Sequence, residues 1–515
     1  MTVWPVLMFA ALGALQTSNF KLSLAERPVA LRSGIGTAHD AVSTTSKEAQ
    51  AFYDQGLAYL HSYVWLEAAR SFNQSLRIDS KLALAHVGLT VAYTELNAPG
   101  DARAALERAQ ALAVGAHDRR HVELCALRMA AEAAPRDEAK LAAYRAALDA
   151  AVTAFPQDEE LWLQRGLAES SDPAERGQGS VAGAVPFYKK ALALAPGHFA
   201  GHHYLTHAYE NSGRVPEALT EGATYAKMAP EVPHARHMHG HSLRRLGRID
   251  EAIDEFTAAD ALANAYFTAE KIPVEYDWHY QHNLDLLATS FQYVGKMAQA
   301  EPILKRSFAI PSTLVVQEFN KREWPAFLLA RGRAQEALEA AAVMAAHRSP
   351  VVSAAGHVAA GQARLALGQF QAAADEANAA LRAIRGAEGG GLVALPLQAL
   401  QGEFFLRTGQ KEKGRSMLEE VAKKVRMATG PDAWTQALFT LEAIARSARE
   451  AGDWELAAST ARHLVAHDAN YAGSHYALAL VAEHDGDATT ARAERALMEK
   501  YWKNADRNLS ELVKR

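Results

Sequence analysis

From about residue 48 to residue 505, apolar positions recur every three to four residues, the spacing of one buried helix face. The helical stretches come in pairs. Within a pair, a Gly is followed by a polar residue and then by a helix-starting Glu or Gln. "GRVPEA" at Gly213 and "GRIDEA" at Gly247 are 34 residues apart. The same signal returns at Gly295, Gly332, Gly368, Gly452 and Gly486, the last two again 34 apart. A glycine lets the chain leave one helix, and the residues after it start the next. Long β-branched runs are missing, so few segments are left for strands. The pattern predicts an all-α, right-handed helical solenoid of about twelve hairpins.

Side-chain size follows the same period. Gly56, Ala68 and Phe72 occupy positions 8, 20 and 24 of a unit, Trp162 and Gly166 positions 4 and 8, and Gly240, Ala252, Phe256 and Ala259 positions 8, 20, 24 and 27. Ala184, Tyr188, Ala191 and Pro196 fit a further unit after an insertion, and Leu205, Tyr209, Ala218 and Pro230 fit the next. This grammar resembles that of tetratricopeptide repeat proteins, over most of the chain. The resemblance implies a scaffold with a concave binding surface. The expected organisation is an apolar arm or export-signal core over 1–22 and a linker over 23–47. A solenoid follows over 48–385, with a central histidine cluster over 198–285, and further repeats over 392–515 follow the "GAEGGG" break.

The histidines keep the repeat's phase. Ten of the 21 lie between His198 and His282, in under a fifth of the chain. His203 and His207 fall at positions 5 and 9 of one unit; His234, His237 and His241 fall at 2, 5 and 9 of the next. His282 falls at 2 and Asp285 at 5 of the third, and Glu210 at 12 of the first. In tetratricopeptide repeats these positions of the first helix face the groove. Spacings of three, four and seven put each set on one helix face. Neighbouring helices about 8–10 Å apart let imidazoles on different helices share an ion. His203, His207, His234, His237, His241 and His282 are therefore the expected metal ligands, with His239, His279 and Glu210 as lesser candidates. His202 and His239 fall at packing positions 4 and 7, and His198 reads as a helix-start residue. Glu210, Tyr204 and Asp285 are the candidates for catalytic work. Tyr204, Tyr276, Trp278 and Tyr280 crowd the region as pocket walls or packing residues.

"GHHYLTHAYE", "HARHMHGHSLRRLG" and "YQHN" also resemble a bacterial branch of tetratricopeptide repeat proteins carrying H-Y-x-x-H-x-x-E, H-x-x-H-M-x-x-H and H-N in that order. The matching positions are His203, Tyr204, His207, Glu210, His234, His237, Met238, His241, His282 and Asn283. One departure follows Met238, where the branch has Pro-Ser and this chain has His239-Gly240.

A nitrogen-rich set suits copper or zinc, with iron as a further choice, and not magnesium or calcium. H-E-x-x-H, G-x-S-x-G and the phosphate-loop motif are missing, which removes the common zinc-protease, serine-hydrolase and nucleotide readings. The glycine-rich "GQGSVAG" reads as a flexible loop. A net charge of −5 without a Lys/Arg block gives nucleic acid no grip. The single cysteine, Cys125, excludes an intramolecular disulfide and reads as a buried thiol. "WPVLMFAALGAL" near the start is too short to span a bilayer and lacks a basic flank, so exported (periplasmic) and cytoplasmic readings both stand. Three functions fit. One is a metal-dependent oxidoreductase with a small-molecule or peptide ligand in the groove. Another is a scaffold for a protein partner. The last is metal storage or delivery.

Overall fold

The computed structural model describes residues 20–170, 181–312, 314–387, 389–428 and 432–509. Among them the secondary structure is helical and no strand occurs. The apolar start of the chain and most of the glycine-rich loop lie outside the described residues. No described helix is long and apolar enough to cross a membrane.

The chain divides at Tyr280/Gln281 into two compact units. In the first, six described hairpins follow one another: Lys47–His61 with Trp65–Ile78, Ala83–Glu95 with Pro99–Leu112, Ala116–Glu132 with Glu138–Ala154, Glu159–Leu167 with Val185–Leu194, Phe199–Asn211 with Val215–Met228, and Pro233–Arg245 with Ile249–Glu270. The helix Trp278–Tyr293 carries the boundary. The second unit continues the hairpin pattern from Met297–Ala309 to Ala472–His484 with Ala488–Tyr501.

Two devices recur in the hairpins. At the turn, Gly213, Gly247, Gly295, Gly332, Gly368, Gly409, Gly452 and Gly486 all have φ between 69° and 87°. That left-handed conformation costs a residue with a Cβ about 1–2 kcal/mol. Between the helices, a small residue makes room for an aromatic ring. A Cβ on Gly240 would come within 2.7 Å of the Phe256 ring, and one on Gly166 within 2.3 Å of Tyr188. Phe72 fits between Gly56 and Gly88 in the same way.

The Ser/Thr/Gly-rich stretch ahead of the first hairpin lies against the first unit. Val29, Ile35, Ala38 and Val42 are buried. The Gly34 carbonyl accepts from Glu231 N at 2.9 Å. A Cβ on Gly36 would meet the Phe199 ring at 2.3 Å. This stretch thereby braces the start of Phe199–Asn211, the helix that carries His203 and His207.

Candidate metal centre

His203 and His207 are one turn apart on Phe199–Asn211, and His234, His237 and His241 share a face of Pro233–Arg245. All five are buried. His203 Nδ1 lies 2.7 Å from the His61 carbonyl oxygen. A carbonyl only accepts, so Nδ1 carries the proton and Nε2 the lone pair. That lone pair faces His207 Nε2 at 3.1 Å and His234 Nε2 at 2.9 Å. One sp² nitrogen has a single lone pair and cannot properly accept two N–H donors. Three imidazoles on one tetrahedral zinc would hold their nitrogens about 3.3 Å apart, close to the spacing here.

His234 also faces His237 and His279, whose ligand atoms together with its own lie within 4.8 Å of one another. Its Nδ1 is buried and has no hydrogen-bond partner among the described residues. The rings of His234 and His279 are 3.9 Å apart. His279 sits in the first turn of Trp278–Tyr293, where Asp277 Oδ1 accepts from its backbone N–H at 2.9 Å. His241 Nδ1 lies 3.2 Å from Glu210 Oε1. The carboxylate thereby fixes that imidazole's tautomer, the arrangement by which proteins orient metal-ligating histidines.

Burial makes these imidazoles hard to protonate. It pushes His203 well below the ordinary histidine value, with His207 adding to the effect. His234 is pushed down well below the ordinary value by burial and by His279, His203, His237 and His207. His207 is lowered to about 4, by burial first. Neutral imidazole is the form that binds metal.

Further polar contacts hold the remaining sequence candidates. His282 is in the second unit, its Nε2 4.0 Å from Asp432. Asp285 is buried and accepts from Ser307 Oγ at 2.9 Å, against the helix Met297–Ala309. Burial drives its carboxyl well upward. Tyr204 O–H meets His61 Nδ1 at 2.9 Å. His202 pairs with Glu221 at 2.6 Å and His239 with Glu255 at 3.0 Å, each on the second helix of its own hairpin. Both are half-buried. His198 caps its helix by accepting from Ala200 N, and its Nε2 also reaches Glu160 at 2.8 Å. Tyr280 O–H meets Asn264 at 3.1 Å, and the Tyr276 ring meets Phe20. Cys125 is buried, its thiol pushed up to about 12 by burial.

Sequence reasoning missed Tyr63. Its ring lies 4.8 Å from that of His203, 5.1 Å from His234, and stacked at 6.1 Å on His279. It occupies the turn position held by glycine in eight other hairpins, with φ at 61°. The signal was present, because "YVWLEA" aligns with "GRVPEA" and puts an aromatic in the glycine's place. A bulky residue in a left-handed conformation marks a position where strain is tolerated for another purpose. Truncating a buried aromatic costs about 3–5 kcal/mol. Release of left-handed strain offsets about 1–2 of this. Tyr63→Gly is therefore expected to lower urea-unfolding stability by about 1–4 kcal/mol, less than Tyr63→Ala, which keeps the left-handed strain, while loosening metal binding measured by competition with a chelator. Equal losses in Tyr63→Gly and Tyr63→Ala would show that the turn is unstrained.

Paired helices, left-handed glycine turns and small residues seated against aromatics define a tetratricopeptide-type helical-repeat fold. No family model matches the sequence, and no curated protein does. Solved structures similar to the chain include the apo form of the quorum sensor NprR from B. thuringiensis (11% identity, 76% of this chain and 98% of that one, TM-score 0.44). Human IFIT1 dimer with m7Gppp-AAAA matches at 12% identity over 82% of this chain and 90% of that one, TM-score 0.41. A tetratricopeptide repeat protein from Parabacteroides merdae matches at 15% identity over 54% of this chain and 99% of that one, TM-score 0.35. The fold assignment rests on the hairpins themselves.

Proposed function

We propose that this chain is a helical-repeat scaffold carrying a dinuclear transition-metal centre, and that the centre serves an oxidoreductase. His203, His207 and His234 would hold one ion through Nε2; for His234 also to join His237 and His279 on a second, its Nδ1 would have to give up its proton, so that His234 serves as an imidazolate. The observation that carries the reading is the meeting of three Nε2 atoms around a His203 lone pair whose tautomer the His61 carbonyl sets. Copper or iron, when bound, would supply one-electron chemistry, whereas zinc would supply Lewis acidity alone. Burial keeps His203, His207 and His234 from protonating, and the His61 carbonyl orients His203, while Glu210 orients the neighbouring His241. Tyr63 covers one side of the cluster with an aromatic face. An imidazole-only triad suits copper, and it equally suits a zinc ion that activates water, so the metal's identity decides the chemistry.

The test compares neighbours in sequence. His207→Ala and His237→Ala should each lose metal, measured per chain by elemental analysis of protein purified without an affinity tag. His202→Gln and His239→Gln should keep it, because these side chains pair with Glu221 and Glu255 instead. Equal retention in all four would return the cluster to a metal-free polar face. Bound metal without oxidase or peroxidase turnover would favour storage or scaffolding.

A further inference from the structure

Two further groups in the first unit bring histidines and carboxylates together: His61, Glu160 and His198, and Asp40, His117 and His121. The first is satisfied without a metal. His198 Nδ1 accepts from Ala200 N, which leaves its proton on Nε2 facing Glu160. An ion on that Nε2 would force the proton to Nδ1 and break the helix cap. In the second group the Nε2 atoms also face a carboxylate, but moving their protons to Nδ1 breaks no helix cap.

We propose that His117, His121, Asp158 and Asp40 form a second divalent-metal site, separate from the groove histidines and suited to zinc. His117 and His121 are one turn apart at the start of Ala116–Glu132, so both rings project from one face. Their Nε2 atoms lie 3.0 Å from the same oxygen, Asp158 Oδ2. His117 Nε2 is also 3.6 Å from Asp40 Oδ1, too long for a hydrogen bond. Ligands on a tetrahedral zinc ion with bonds of about 2.0–2.1 Å are about 3.3 Å apart. The separations here, 3.0 and 3.6 Å, bracket that value.

The surroundings are those of an oriented site. Asp158 Oδ1 is held by Leu161 N–H at 3.1 Å, which leaves Oδ2 for the histidines. His117 Nδ1 faces Asp118 Oδ1 at 3.8 Å, and Tyr53 O–H lies 3.4 Å from Asp40 Oδ2. Carboxylate contacts on the far nitrogen of a ligating histidine are common around metal ions. Asp40 and Asp158 are nearly buried, while the His117 side chain is 30% exposed and gives an ion a path from solvent. Two imidazoles and two carboxylates make a set that zinc accepts readily. The ion would join three parts of the chain: the stretch ahead of the first hairpin, the third hairpin and the fourth.

The test is equilibrium dialysis of the metal-stripped full chain against Zn²⁺. His121→Ala and Asp158→Asn should each bind one zinc ion fewer than the parent, or hold it at least about tenfold more weakly. Asp158→Asn keeps the helix cap, because asparagine accepts from Leu161 N–H as aspartate does, so its fold is expected to survive. His234→Ala should retain this ion, which separates the site from the groove centre: either can fail alone. If both His121→Ala and Asp158→Asn bind as much zinc as the parent with unchanged affinity, the proposal is overturned.

Discussion

Replacing His234 by alanine is expected to cost the chain more metal than any other single histidine substitution in the groove. His234 is common to the two triads assigned to ions above. Its Nε2 meets His203, and its ring lies against His279. Deleting it leaves His203 and His207 as one incomplete pair and His237 and His279 as another. Two neutral imidazoles hold a first-row ion far less firmly than three. Groove metal measured per chain should therefore fall to near zero in His234→Ala, whereas His207→Ala should leave the His234, His237, His279 group able to bind. Helix content should survive, since His234 lies in the first turn of its helix and forms none of the glycine–aromatic contacts between helices. Equal metal loss in His234→Ala and His207→Ala would mean that the two groups act as a single site.

The second large effect concerns acid. In the metal-stripped chain His207 has a pKa of about 4, against about 6.5 for an unfolded histidine. The folded state then binds fewer protons than the unfolded state between these values. The contribution is present above about pH 6.5 and is lost as pH falls toward 4. The difference of about 2.5 pH units corresponds to about 3 kcal/mol. Asp40, pushed up to about 7 by burial, acts in the opposite sense over this range, so the comparison is made within one residue. Urea unfolding of the stripped parent should lose about 3 kcal/mol more between pH 7 and pH 4 than that of His207→Gln. Parallel pH profiles for the two would show that His207 titrates as an exposed histidine.

Much of the fold was legible because its rules are local. A glycine at eight of the turns, and a small residue set against an aromatic sixteen positions on, as Gly240 and Phe256 are, can be read within one repeat. The phase of the histidines was legible for the same reason, since helix geometry alone groups His203 with His207 and His234 with His237. What sequence could not supply were partners far along the chain. The carbonyl that sets the tautomer of His203 belongs to His61, 142 residues earlier. Asp158, which receives both His117 and His121, comes from the following hairpin and reads in sequence as an ordinary helix cap. Asp285 had the right repeat position, but its carboxylate accepts from Ser307. Repeat position fixes the helix and its approximate face, while the tilt of each helix decides what the side chain meets.

The most direct test of the groove centre is an X-ray absorption spectrum at the metal edge, taken on His121→Ala protein purified without an affinity tag. That variant removes the second site and leaves the groove histidines alone. The groove centre should give a nitrogen shell at about 2.0–2.1 Å with the outer-shell scattering of imidazole rings. An oxygen-only shell, or a protein that carries no transition metal and takes none up, would contradict it.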